Sequence, residues 1–142
     1  MPTTVEIADA VKAELNNHSF SQSFTAVRKF IPRYNLEELA TLRVTVVPKA
    51  SEENLITRAD SQRQVQIDIG IHKKIDSDEE TETPPLIALA EEIMQYVRKL
   101  KLTNAPGVLW VQTENNPIYS QEYLQRERVF FSLITVTYKL VR

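Results

Sequence analysis

The residues from 64 to 75 carry the strongest pattern in the sequence, an alternation of apolar with polar or small side chains. The apolar positions at its centre are Val65, Ile67, Ile69 and Ile71. Successive side chains of a β-strand point to opposite faces, so this alternation predicts a strand that is buried on one face only. The rest of the chain must therefore supply neighbouring strands and a layer that covers one face.

Two helices and four further strands are predicted around this strand. The helices are expected at about 4–17 and from Pro85 along an apolar stripe that reaches Leu100. The other strands are expected at 24–31, 42–47, 108–113 and 129–141. The order α-β-β-β-α-β-β lacks the regular alternation of a parallel doubly wound sheet. We therefore predict one α+β domain, 1–142, with a mostly antiparallel sheet of about five strands and two helices packed on one face.

Three polar stretches separate these elements. Residues 49–62 are predicted to form a long connection that contains the isolated apolar pair Leu55-Ile56. Residues 76–83 form an acidic run, which is typical of a solvated loop. Residues 114–128 form a second long connection, with one helical turn in its second half. Long connections in compact domains are often functional, so both are candidates for contact with other molecules.

The composition argues against several classes of function. The chain has no cysteine, which removes disulfides, thiolate metal sites and cysteine nucleophiles together. Its net charge of −2 argues against a general nucleic-acid-binding protein. No stretch has the ~20 apolar residues that a membrane-spanning helix needs. No sequence motif of a known catalytic or nucleotide-binding site occurs, so we expect no enzyme, no cofactor and no metal site.

One alternative from a different class depends on Asp68 and His72. Both are predicted on the polar face of the same strand, where a carboxylate and an imidazole are possible metal ligands. With other acids they would define a small metal-dependent nuclease. The simpler interpretation is a solvated strand face, with no chemistry of its own.

The last strand carries an apolar pair on its second face. Phe130 and Phe131 are adjacent, so they point to opposite sides of the sheet, and Leu133 lies on the same side as Phe131. With both helices on the other face, Phe131 and Leu133 need another cover. Two alternatives stay open at this point: a partner subunit supplies the cover, or the connection 114–128 folds back over the patch.

The order of these patterns resembles the tail terminator and neck proteins of long-tailed bacteriophages. The resemblance follows the chain through an opening amphipathic helix and then through Tyr34–Leu39, Leu42–Pro48, Val65–Ile71 with Lys73-Lys74, Leu86–Arg98, Pro117–Tyr119 and Phe131–Tyr138. It covers most of the chain in order.

This resemblance implies a structural virion protein: a small α+β subunit that forms a ring, commonly a hexamer. Such a ring caps the finished tail tube and provides the docking surface for the head connector. The implied partners are other copies of the chain, the tail tube protein, the tail sheath and the head-side connector, without a membrane and with DNA only passing through the channel. The implied location is the tail or neck of the virion, after assembly in the host cytoplasm. The resemblance implies no catalytic activity and no cofactor.

A ring of identical subunits needs two different complementary patches on each subunit. We expect them among a basic cluster, an acidic run, the polar connection and the second sheet face. The candidate residues are Arg28, Lys29, Arg33, Asp76, Asp78, Glu79, Glu80, Leu55, Ile56, Arg58, Phe131 and Leu133. The other interpretations are another neck or head-completion protein of the same particle, the nuclease, and a monomeric domain of unrelated role.

Overall fold

The computed structural model describes residues 2–141, which form a five-stranded sheet with helices. In chain order the elements are α1 (Thr4–Asn16), β1 (Ala26–Arg28), a 3-10 turn (Glu38–Ala40), β2 (Arg43–Leu55), β3 (Ser61–Lys74), α2 (Glu79–Val97), β4 (Leu109–Asn115), α3 (Gln121–Arg126) and β5 (Val129–Val141). None of the helices in this part of the chain is long and apolar enough to cross a membrane.

The sheet has the strand order β1-β2-β3-β5-β4, and only β1 and β2 are parallel. The central strand β3 carries the alternating pattern, and its odd positions face the helices. In the register, Ile69 lies between Val46 of β2 and Ile134 of β5, and all three are buried. Apolar residues of α1 and α2 join the same core. The predicted α+β fold class is confirmed.

The first helix begins and ends as its sequence predicts. The Thr3 hydroxyl accepts a hydrogen bond from the Glu6 amide at 3.1 Å, which satisfies one of the free amides of the first turn. Ile7, Val11 and Leu15 are buried against the sheet. The β5 strand also has its predicted bounds, and the helical turn expected in the connection 114–128 is α3.

The end of α1 is tied to the edge of the sheet by one side chain. Asn16 donates from Nδ2 to the Ala26 carbonyl at 3.1 Å, and its Oδ1 accepts from the Ala26 amide at 2.7 Å. Ala26 is buried, and β1 has no strand on its outer side. The Asn16 amide therefore takes the place that a further strand would occupy.

We expect Asn16→Ala to lower the free energy of unfolding by about 1–3 kcal/mol, because it leaves an amide and a carbonyl of a buried residue without partners. Urea unfolding should show a lower midpoint with an unchanged slope. The control is Asn17→Ala, at an exposed residue that caps the helix with its backbone, and it should change the value by less than about 0.5 kcal/mol. Equal losses in the two variants would contradict this role of Asn16.

The prediction of a long connection at 49–62 is wrong. The strand β2 does not end before Pro48 but continues to Leu55, and it pairs with β3 as a hairpin whose turn is only 56–60. Pro48 is tolerated because β1 ends opposite Val46, so no neighbouring strand needs an N–H group from Pro48 on that side. Residues 49–60 are exposed. We call residues 49–62 the arm.

The prediction of a loop over the acidic run is wrong from Glu79 onward, because α2 begins there rather than at Pro85. Asp78 caps the helix by accepting from the Glu80 amide at 3.2 Å, and negative side chains are favourable in a first turn. Pro84 and Pro85 lie inside the helix and remove two helical hydrogen bonds. The carbonyls left without partners belong to the exposed residues at 80 and 81, where water replaces the lost bonds at little cost.

The strand predicted at 24–31 is much shorter, since only Ala26–Arg28 pairs with β2. Beyond it the chain turns away from the sheet, and Phe30 and Ile31 are about 60% exposed (61% and 59%). Together with Val27 and Leu36 they form an exposed apolar surface, which we call the edge patch.

Candidate assembly surfaces

A groove of about 240 Å³ lies on the sheet face opposite α1 and α2. We call it the second-face groove, and it is lined by Pro32, Thr45, Val47, Asp68, Gly70, His72, Phe131 and Leu133. The groove adjoins a second hollow of about 380 Å³, whose lining includes Tyr34 and Tyr123. Phe131 and Leu133 are therefore brought together on the second face, as the pattern of β5 predicts.

The connection 114–128 folds back over only part of this face. The Tyr123 ring of α3 meets the edge of Phe131 with the ring centres 6.0 Å apart. The Ser120 amide donates to the Phe131 carbonyl at 3.0 Å, and the Leu133 amide donates to the Pro117 carbonyl at 3.1 Å. Both Phe131 and Leu133 remain half-buried and still line the groove. The cover within the subunit is incomplete.

His72 lies at the junction of the two hollows and is half-buried, so its interpretation as part of a solvated strand face is wrong. Its ring packs between Phe131 and Tyr34, with centres 4.7 and 5.5 Å away. Its Nδ1 is buried and has no hydrogen-bond partner among residues 2–141. Burial lowers the pKa of His72 to about 4, so the ring is neutral at pH 7.

Gly70 makes room for this ring. A Cβ atom at position 70 would lie 3.1 Å from Cε1 of His72, closer than ordinary packing allows. The glycine in the alternating strand is therefore explained by the close approach of a side chain on its own face.

Asp68 and His72 do not form a metal site in this structure. They lie four residues apart on one strand, a span of about 13 Å, which is too long for both to bind one ion. Residues 2–141 contain no cluster of three or more potential metal ligands. The Asp68 carboxylate instead accepts from the Thr135 hydroxyl at 2.7 Å and lies 3.9 Å from the Lys49 ammonium. The geometry gives the nuclease hypothesis no support.

Two members of the predicted basic cluster are engaged within the subunit. Arg28 pairs with Asp9 of α1 at 2.8 Å and lies over the Phe30 ring. The Lys29 ammonium lies 4.1 Å from the centre of the Tyr34 ring. Arg33 is exposed, lines the hollow that adjoins the second-face groove, and forms no ion pair within the described residues. Of the three, Arg33 is the one best placed to contact another molecule.

The acidic residues surround the start of α2 and mostly stabilise it. Asp76 lies 3.8 Å from Lys73, and Glu79 lies 3.7 Å from Arg128. Glu82 accepts two hydrogen bonds from Ser77, one from the backbone amide at 2.6 Å, and these bonds lower the pKa of Glu82. Glu80 is also one of the predicted acidic contact residues, and it is exposed. Its backbone amide donates to Asp78, but its side-chain carboxylate has no hydrogen bond or ion pair within the described residues.

The arm presents apolar side chains at its tip. Leu55 is 80% exposed and Ile56 is 51% exposed, and Arg58 beside them forms no ion pair within the described residues. The turn is nevertheless ordered by its own hydrogen bonds. The Ile56 amide donates to the Asp60 carbonyl at 3.0 Å, and the Thr57 hydroxyl accepts from the Asp60 amide at 3.0 Å.

Arg63 at the base of the arm has a role that the sequence pattern did not reveal. Its guanidinium donates to the Pro2 carbonyl and the Thr4 hydroxyl at 2.7 Å each, and to the Ser51 hydroxyl at 3.0 Å. These bonds fix the direction of the hairpin relative to α1. In the sequence, Arg63 lies between the predicted connection 49–62 and the predicted strand from 64, without a signal for this contact.

Comparisons with known proteins give a likeness in structure and none in sequence. No known family matches the sequence, and no curated protein matches it. Among solved structures, the chain is similar to the sheath/tube terminator of an extracellular contractile injection system, PVC, in its extended state, determined by cryo-EM. The TM-score is 0.44 at 16% sequence identity, and the match covers 96% of this chain and 56% of that chain. The chain thus spans just over half the length of that protein.

Proposed function

We infer that this protein is a structural, ring-forming subunit that terminates a phage tail. The observation that carries the proposal is the arm, whose tip lies beyond the last pair of β3 with β5, Gln62 with Val141, and exposes Leu55 and Ile56. Exposed apolar side chains in an ordered hairpin are costly for an isolated subunit and favourable when a partner covers them. The second-face groove is a different, concave surface on the same subunit. Two unlike surfaces of this kind are what a closed ring of identical subunits requires.

The finer assignment follows the resemblance of the sequence to tail terminator and neck proteins. In this proposal 1–142 acts as one domain of a ring, commonly a hexamer, in the tail or neck of a virion that is assembled in the host cytoplasm. The ring caps the tail tube, contacts the sheath and provides the docking surface for the head connector. It works through its surfaces, without catalysis and without a cofactor.

The test of this proposal is the native mass together with negative-stain images. We expect a mass that is a fixed multiple of the subunit and images of rings with a central hole, either alone or with purified tail tubes. A monomer at high concentration that also leaves tube ends unoccupied would contradict the proposal. Rings found at the head side only would favour another neck or head-completion protein.

A matched variant tests the arm. Replacing residues 54–62 by Asn-Gly keeps Arg63 and closes the hairpin with a two-residue turn. We expect the variant to fold and to lose at least tenfold in ring affinity, measured by light scattering over a concentration series. Unchanged rings would show that the arm does not hold the subunits together.

A further inference from the structure

We propose that the arm tip of one subunit docks in the second-face groove of the next copy of this chain, with Arg58 facing Asp68. The proposal rests on the ring inferred above and names the surfaces that hold it together. It concerns a second copy of the chain, because both complementary surfaces are present on every subunit.

The tip is suited to insertion. Leu55 and Ile56 are both exposed at a turn that its own hydrogen bonds already order. An ordered loop loses little conformational freedom on binding, so most of the gain from apolar burial is retained. Arg58, two residues further on, is exposed and carries a charge with no partner among residues 2–141.

The groove offers the matching surfaces. Its walls are formed by the apolar side chains of Pro32, Val47, Phe131 and Leu133. Asp68 also lines the groove with a side chain that is 17% exposed, and its contacts with Lys49 and Thr135 both use Oδ1. No hydrogen bond reaches Oδ2 within the described residues. A guanidinium that enters with the tip would find a carboxylate oxygen there to accept its N–H groups.

The charges beside the two surfaces are complementary as well. Glu52 and Glu53 are exposed on the stem of the arm, and Arg33 is exposed in the hollow that adjoins the groove. When the tip lies in the groove, these charges of opposite sign face one another at the rim. Such pairs set the register and the rate of encounter.

The length of the hairpin requires that the tip and the groove in this contact belong to different subunits. From the level of Val47 to the tip, the hairpin extends by eight residues, or roughly 25 Å. A tip therefore cannot reach the groove of its own chain. A contact between two different patches on identical subunits is head-to-tail, and it closes into a ring when the rotation allows.

Cysteine cross-linking tests this contact directly, because the chain has no cysteine of its own. Subunits with Ile56→Cys are mixed with subunits with Leu133→Cys and oxidised. A disulfide forms only when the two Cα atoms come within about 7 Å. We expect a 1:1 cross-linked dimer in the mixture and little in either variant alone. The double variant should give a ladder of bands that ends at the ring size.

The control replaces Leu133→Cys by Ile31→Cys on the edge patch. Cross-linking of Ile56→Cys to Ile31→Cys in preference to Leu133→Cys would show that the tip docks on the edge patch, and it would overturn the groove proposal. Rings that form without either cross-link would also overturn it, while the ring itself stands. A chain that stays monomeric, leaves tube ends unoccupied and gives no cross-link would refute both proposals.

A charge exchange provides a second, independent readout. Arg58→Glu subunits and Asp68→Arg subunits should each lose ring formation at least tenfold, because each places like charges in contact. Their equimolar mixture should recover rings, since opposite charges then meet at every interface. Because Asp68→Arg changes a partly buried site, Asp68→Asn serves as the milder variant and should weaken the ring of otherwise unchanged subunits. No recovery in the mixture, with both variants folded by circular dichroism, would overturn the Arg58–Asp68 pairing.

Discussion

Replacing Phe130 by alanine is expected to lower the free energy of unfolding by about 3–5 kcal/mol, the usual cost of removing a buried phenylalanine ring. Phe130 is 0% exposed and packs in the core between the sheet and the helices. Alanine leaves a cavity that neighbouring side chains fill only in part. The measurement is urea unfolding followed by circular dichroism, with the midpoint and the slope reported together.

The adjacent Phe131 is the matched control. Its ring lies on the opposite face, half-buried between His72 and Tyr123, so Phe131→Ala should cost about 1–2 kcal/mol. Once folded, the Phe131→Ala subunit should form rings less well than the Phe130→Ala subunit, because only Phe131 lines the second-face groove. A reversed order of stabilities would mean that β5 is shifted by one residue relative to β3.

Acid should destabilise the protein through His72. Its pKa is about 4 in the folded chain and about 6.5 in the unfolded chain, so the unfolded state binds the proton first as the pH falls. The full stability is present above pH ~6.5 and declines to pH ~4, with a loss of about 3 kcal/mol. Unfolding in urea at a series of pH values measures this loss.

The His72→Leu variant should lose this part of the pH dependence. Carboxylates such as Glu82, whose pKa is lowered by hydrogen bonds from Ser77, also reduce stability in acid, but they do so equally in both proteins. The difference between the two curves therefore isolates His72. His18→Gln, at the other histidine, should leave the His72 dependence in place. An unchanged slope between pH 6.5 and 4 in His72→Leu would show that the buried imidazole does not cause it.

The elements that the sequence predicts well are those specified by local pattern. The strand around Ile67 and Ile69, the strand 129–141 and the first helix each show the period of their secondary structure over several residues. The same period places Phe130 and Phe131 on opposite faces, which the structure confirms. In these segments the position of a residue in the local pattern is enough to predict whether its side chain is buried or exposed.

The errors occur where a distant part of the chain decides the structure. Residues 49–54 carry no large apolar side chain, so they lack the alternation that marks a half-buried strand, and only their pairing with β3 makes them a continuation of β2. Pro48 signals the end of a strand only where a neighbouring strand needs its N–H group, and β1 stops before that point. The start of α2 depends on the Asp78 cap, which outweighs the prolines that suggested a later start.

The candidate surfaces combine local patterns with contacts between distant residues. The sequence identifies Leu55-Ile56 as an isolated apolar pair, and the period of β5 places Phe131 and Leu133 on its second face. The burial of His72 depends on Tyr34, from a separate segment, and the engagement of Arg28 depends on Asp9 of the first helix. The alternation pattern contains no information about such contacts. Whether the candidate residues contact another subunit stays a prediction until the cross-links are measured.

The contact of Asn16 with Ala26 has a consequence for how growth of an assembly is limited. An uncovered outer strand is a template on which further chains can add without a fixed end. Here the side-chain amide of Asn16 forms hydrogen bonds with both the N–H and the C=O group of Ala26, as a neighbouring strand would. Addition of a strand next to β1 is therefore obstructed at Ala26. A strand that adds next to β1 would first have to displace the Asn16 side chain, so open-ended growth by backbone pairing at Ala26 is disfavoured.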